Sequence, residues 1–64
     1  MDIIQRIIEE RKKQKLSQEE LGEMAGLARS YISRIEQGSI DVSTSRLQRI
    51  LSALGYELTM RKKK

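Results

Sequence analysis

With 64 residues, 13 lysines and arginines against 9 aspartates and glutamates, and a net charge of +4, the chain has room for one small domain whose unaided core is only marginally stabilising. It has no cysteine and no histidine, which excludes disulfides, zinc fingers and any Cys/His nucleophile–base pair; no metal, cofactor or enzymatic activity is expected. No apolar run approaches the ~20 residues of a membrane span and no signal-peptide core is present, so a soluble cytoplasmic protein without a membrane partner is expected.

The charge is unevenly placed. Arg61 to Lys64 supplies all four net positive charges, so residues 1–60 sum to zero. Basic residues otherwise gather at Arg11, Lys12, Lys13 and Lys15 and between residues 29 and 34, and acids at Glu9, Glu10, Glu19, Glu20 and Glu23. Only this distribution, and no overall excess, can argue for a polyanionic partner.

Residues 2–14 are predicted to form a first helix. Asp2 is a suitable N-cap, and Ile3, Ile4, Ile7, Ile8 and Arg11 trace one face at helical spacing. Arg11 continues that apolar stripe, so its guanidinium should be partly buried and in need of a carboxylate, unless it snorkels to solvent. A second helix follows Ser17, which is an N-cap with Glu20 completing a capping box. Its inward face carries Leu21, Met24 and Ala25, and Gly22 is a small residue where two steeply crossing helices would approach. Gln18 occupies the first helical position beside backbone N–H groups that lack helical partners, a setting suited to a phosphate.

A tight turn at Gly26 leads to a third helix, Ala28 to Gln37. Ala28, Ile32 and Ile35 point inward, while Arg29, Ser30, Ser33, Arg34 and Gln37 fall on the outer face. An apolar stripe below and a donor-rich stripe above suit a helix that rests on a core and offers its other side to a groove, which suggests a DNA-binding helix-turn-helix. Gly38 ends this helix, and Ile40 or Val42 is expected to dip into the core. Ser43 or Thr44 caps a fourth helix with a stripe of Leu47, Ile50, Leu51 and Leu54, stopped at Gly55. Ser43, Thr44 and Ser45 are equally readable as helix caps and as a second phosphate clamp. Beyond Gly55 the period changes to two: Tyr56, Leu58 and Met60 alternate with Glu57, Thr59 and Arg61. A strand over 56–61 would have no partner within the chain, so Tyr56, Leu58 and Met60 are expected to form a dimer interface by pairing with a second copy. Residues 62–64 would be a basic tail adding non-specific phosphate attraction.

The run Leu16-Ser17-Gln18-Glu19-Glu20-Leu21, then Gly26, then Ser30-Tyr31-Ile32-Ser33-Arg34-Ile35-Glu36 and Gly38 resembles the lambda-repressor/Cro type of helix-turn-helix, the xenobiotic-response-element (XRE) family. With the flanking helices the resemblance covers roughly residues 3–58. It implies an all-α fold, a compact four-helix lambda-repressor-like domain over residues 1–55, here with a short C-terminal strand pairing across a dimer. By the same resemblance Gln18 contacts a DNA phosphate, Tyr31 contacts the backbone, and Arg11 pairs with Glu36 near the end of the recognition helix. Base readout is assigned to Arg29, Ser30 and Arg34, with Ser33 as a lesser contact and Ala28 offering only a methyl to thymine. Phosphate contacts are assigned to Ser17, Gln18, Tyr31, Gln37, Ser43 and Thr44. Two positions depart from the family pattern: Lys15 stands where glycine often ends the first helix, and Ala28 where a serine or threonine often caps the third. The function implied is sequence-specific transcriptional regulation, most simply repression, at a palindromic operator by a homodimer. The alternative is an antitoxin that inhibits a partner protein, a toxin, and autoregulates its operon; a third reading is an interaction module that has lost DNA binding.

Overall fold

The computed structural model describes residues 3–56, so the Asp2 cap, Leu58, Met60 and the 62–64 tail lie outside the described residues. Four helices form: α1 (Ile3–Lys13), α2 (Gln18–Ala25), α3 (Arg29–Gln37) and α4 (Thr44–Ala53), with no strand among the described residues. α2 packs against both α3 and α4, and α1 packs against α3.

The core is Ile7, Leu21, Ala25, Ile32, Ile35, Ile50, Leu51 and Leu54, at least one residue from every helix. Each fully buried aliphatic side chain contributes about 1.5–3 kcal/mol relative to exposure. Ile4, Leu16, Leu27, Tyr31, Ile40, Val42, Leu47 and Ala53 pack around it half-buried, so both Ile40 and Val42 reach the core from the α3–α4 connection.

Met24 departs from the sequence expectation: it is 55% exposed. The reason is Gly22, which is buried with Leu21 and Ala25 and draws the inward face of α2 toward itself. At 100° per residue, Met24 then lies about 105° from the centre of that face. A Cβ built on Gly22 would stand 2.5 Å from the Leu27 carbonyl oxygen, so the close approach is to the backbone of the turn that follows α2.

The helix ends share one device. After α2, α3 and α4 the backbone turns left-handed at Gly26, Gly38 and Gly55, and the next residue donates its N–H back to a carbonyl five positions earlier: Leu27 to Gly22 (2.8 Å), Ser39 to Arg34 (3.1 Å) and Tyr56 to Leu51 (2.8 Å). After α1 the same motif is made by Lys15, with φ 60°, and Leu16 donates to Arg11 O at 3.0 Å. Lys15 therefore does adopt the conformation that glycine usually supplies. At Tyr56, the first residue of the expected strand, the N–H closes the α4 cap and the residue is 45% exposed, with no strand among the described residues. Leu58 and Met60, the other members of that expected interface, lie outside the described residues.

Candidate nucleic-acid interface

α3 exists as a helix through its packing, since nine residues are too few to be helical alone in water. Ile32 and Ile35, each 1% exposed, pin one side to the core. On the opposite side Arg29, Ser30, Arg34 and Gln37 are exposed and Ser33 is half-buried. Neither Arg29 nor Arg34 forms an ion pair among the described residues. Gln37 Nε2 donates to Ser33 Oγ at 3.3 Å, an exposed bond one turn apart that leaves the other amide groups available. Ala28 is the N-cap, extended at φ −70° and ψ 148°, and makes no side-chain cap bond. Its methyl is exposed beside Arg29 and Ser30, so Ala28, Arg29, Ser30, Ser33, Arg34 and Gln37 belong to one continuous surface.

At 100° per residue the outer face of α3 is centred near Ser30 and Gln37, and Glu36 and Tyr31 fall about 110° to either side of that centre. Each flank is tied to a different part of the fold. On the Glu36 flank, Arg11 Nε donates to Glu36 Oε2 at 2.7 Å and Nη2 to Oε1 at 3.0 Å, a bidentate pair with side chains 11% and 7% exposed. Arg11 Nη1 also donates to Leu16 O at 2.8 Å, and Gln18 Nε2 donates to Glu36 Oε1 at 3.0 Å. One carboxylate thus joins α1, the start of α2 and the end of α3. Gln18 is half-buried and has one amide N–H committed to Glu36; its second N–H and its carbonyl oxygen remain for a ligand.

Ser17 caps α2 by accepting from Glu20 N–H at 3.0 Å, while Glu20 accepts from Ser17 N–H at 2.8 Å. This capping box occupies the Ser17 hydroxyl oxygen, which leaves its proton and the neighbouring helix N–H groups for an anion. On the Tyr31 flank the partner is α4. Arg46 Nη1 donates to Tyr31 Oη at 3.4 Å, and the guanidinium carbon stands 5.2 Å from the ring centroid, within cation–π range. Tyr31 is half-buried against the core and meets α4 through Arg46. Ser43 is the α4 cap, accepting from Arg46 N–H at 3.3 Å, and Thr44 is the first helical residue; both are exposed.

Arg46 is the residue that sequence reasoning passed over. A signal was available: α4 has no acid in its first turn and carries a cation there, against the helix dipole. Among the described residues no group of carboxylates, histidines or cysteines could hold a metal ion, and no helix is long and apolar enough to cross a membrane.

The family described as Helix-turn-helix matches residues 7–60. The chain is 41% identical over 59 residues to an immunity repressor protein of Bacillus phage phi105, covering 92% of this chain and 41% of that protein. It is 37% identical over 62 residues to an uncharacterised HTH-type transcriptional regulator, y4dL, of Sinorhizobium fredii, covering 97% of this chain and 32% of the relative. The chain therefore spans about two fifths or less of these curated relatives. Among solved structures, the restriction-modification controller protein C.AhdI from Aeromonas hydrophila superposes with a TM-score of 0.81 at 39% identity, over 84% of this chain and 82% of that one. Four helices in this order, an α2–turn–α3 unit with a donor-rich outer face, and a family match across most of the chain agree: this protein belongs to the XRE-type helix-turn-helix family of transcriptional regulators.

Proposed function

We propose that the chain is a sequence-specific DNA-binding repressor that acts as a homodimer on a palindromic operator, with α3 in the major groove. The single observation that carries this reading is the two-sidedness of α3. Its inner face is sealed by Ile32 and Ile35, and its outer face presents Arg29 and Arg34 without an ion-pair partner among the described residues. Arginines held on a rigid surface and left uncompensated match the O6 and N7 edge of guanine. Repression is supported by the phage immunity repressor among the similar proteins, and a regulatory role by the restriction-modification controller. In this reading residues 1–55 form the DNA-binding unit, Gln18 with Ser17 holds one phosphate, and Tyr31, Gln37, Ser43 and Thr44 lie along the others.

Two copies must set their α3 helices about 34 Å apart to read a two-fold operator. The antitoxin alternative, which the small size and the expected 56–61 strand favour, would instead show as co-purification with an unrelated protein encoded next door. Selection of bound sites from a random duplex pool tests the proposal: a palindromic motif with half-sites one helical turn apart is expected. Arg29→Ala should lower affinity for that motif by about 1–3 kcal/mol and relax preference at one position in each half-site. Sedimentation of the protein–DNA complex should give two chains per operator. Recovery of no enriched motif, or of an asymmetric one bound by a single chain, refutes the proposal.

A further inference from the structure

We infer that Arg46 is a phosphate-contacting residue, held in place by Tyr31, and that it forms the second of two clamps bracketing α3. The inference rests on the reading of α3 as a major-groove helix.

A helix in the major groove has a sugar–phosphate backbone on each side of it. Anchoring it symmetrically requires a polar donor on each flank. The Glu36 flank has one in Gln18, seated on the Arg11–Glu36 pair. On the Tyr31 flank, at the same angle on the other side, the cation placed against Tyr31 is Arg46. Tyr31 itself offers a hydroxyl that already accepts from Arg46 Nη1. The guanidinium lies over the ring with its carbon 5.2 Å from the centroid, and the residue is exposed.

Arginine over an aromatic ring keeps its edge donors free while its plane is fixed, so Arg46 is preorganised to bond an anion without first losing side-chain freedom. Nothing in the described residues neutralises it: no ion pair includes Arg46, and α4 has no acidic residue in its first turn. A cation there faces the positive end of the helix dipole, an arrangement that an incoming phosphate would relieve. Arg46 also stands two residues from Thr44 and donates its backbone N–H to Ser43, so it converges with the hydroxyls proposed to follow the same backbone.

The test is DNA affinity as a function of salt, using the selected duplex and an arbitrary duplex of equal length. Each phosphate neutralised by a cation contributes about 0.9 to the slope of log K against log salt. Arg46→Ala should weaken both duplexes by the same factor and leave the selected motif unchanged. The wild-type advantage over Arg46→Ala should shrink about 3.5-fold between 50 and 200 mM salt. Arg46→Lys, which keeps the charge, should restore the slope, whereas Arg46→Gln should behave as the alanine variant does. Thermal melts of all three variants report whether α4 still packs. If wild-type protein binds and the Arg46→Ala slope equals the wild-type slope, Arg46 serves only to join α3 to α4 and the inference is wrong. A wild-type protein that shows no salt-dependent binding to either duplex overturns the inference together with the DNA-binding reading.

Discussion

Replacing Arg11 with methionine removes the only cation paired, among the described residues, with a carboxylate that is 7% exposed. Glu36 accepts from Arg11 Nε, Arg11 Nη2 and Gln18 Nε2, so the substitution deletes two of three bonds and leaves the charge with a single neutral donor. Breaking a deeply buried pair costs about 3–5 kcal/mol. Here Gln18 stays with Glu36, and the opposite substitution, Glu36→Leu, leaves Arg11 bonded to Leu16 O, so each single change should fall near the lower bound, about 3 kcal/mol. In a domain of this size that is a loss of roughly 12–24 °C in Tm. The double variant Arg11→Met/Glu36→Leu strands no charge and should cost no more than either single change, a coupling of about 3 kcal/mol. Urea unfolding of the four proteins at low temperature measures it. Single losses that sum to the double within about 0.5 kcal/mol would refute the reasoning, because independent sites add to that accuracy.

Two further expectations follow from the backbone. Lys15 sits at φ 60°, where a side chain costs about 1–2 kcal/mol, and glycine's greater unfolded-state freedom offsets part of the gain; Lys15→Gly should therefore stabilise by about 0.5–1 kcal/mol in urea melts without altering DNA affinity. Gly22→Ala should destabilise by about 1–3 kcal/mol, since its Cβ would meet a turn carbonyl at 2.5 Å and backbone must shift to admit it. A neutral Gly22→Ala melt would show that the turn after α2 yields freely.

The helices and most of the core were legible because each carries its apolar residues at helical spacing between recognisable caps. Ser17 with Glu20, and the glycines after α2, α3 and α4, mark ends that the structure reproduces within a residue or two. Arg11 was legible for a different reason: a charged residue in line with Ile4, Ile7 and Ile8 needs a carboxylate. What periodicity could not show were the angles that depend on how helices meet. Met24 fits the inward spacing of α2, yet a buried glycine rotates the packed face away from it. Tyr56 fits an alternating pattern, yet the helix cap before it takes its N–H first. The Arg46–Tyr31 contact joins residues 15 apart on two helices and left no spacing signal within either.

The same geometry explains how distant residues can set the pose of a short recognition helix. α3 has a buried face and two flanks, and each is held by contacts with another part of the fold. Ile32 and Ile35 fix its depth, the Arg11–Glu36 pair fixes one flank to α1 and α2, and the Tyr31–Arg46 contact fixes the other to α4. Base readout by a bidentate arginine tolerates little displacement, so under the proposed reading loosening the buried Glu36 flank would move Arg29 and Arg34 relative to bases that Arg11 does not touch. The two ties differ in what they do to specificity. The Glu36 tie is buried and formed in the free protein, so weakening it lowers stability and affinity together. The Tyr31 tie is exposed and holds a cation with no counter-charge among the described residues, so its weakening should appear in the complex far more than in the free fold.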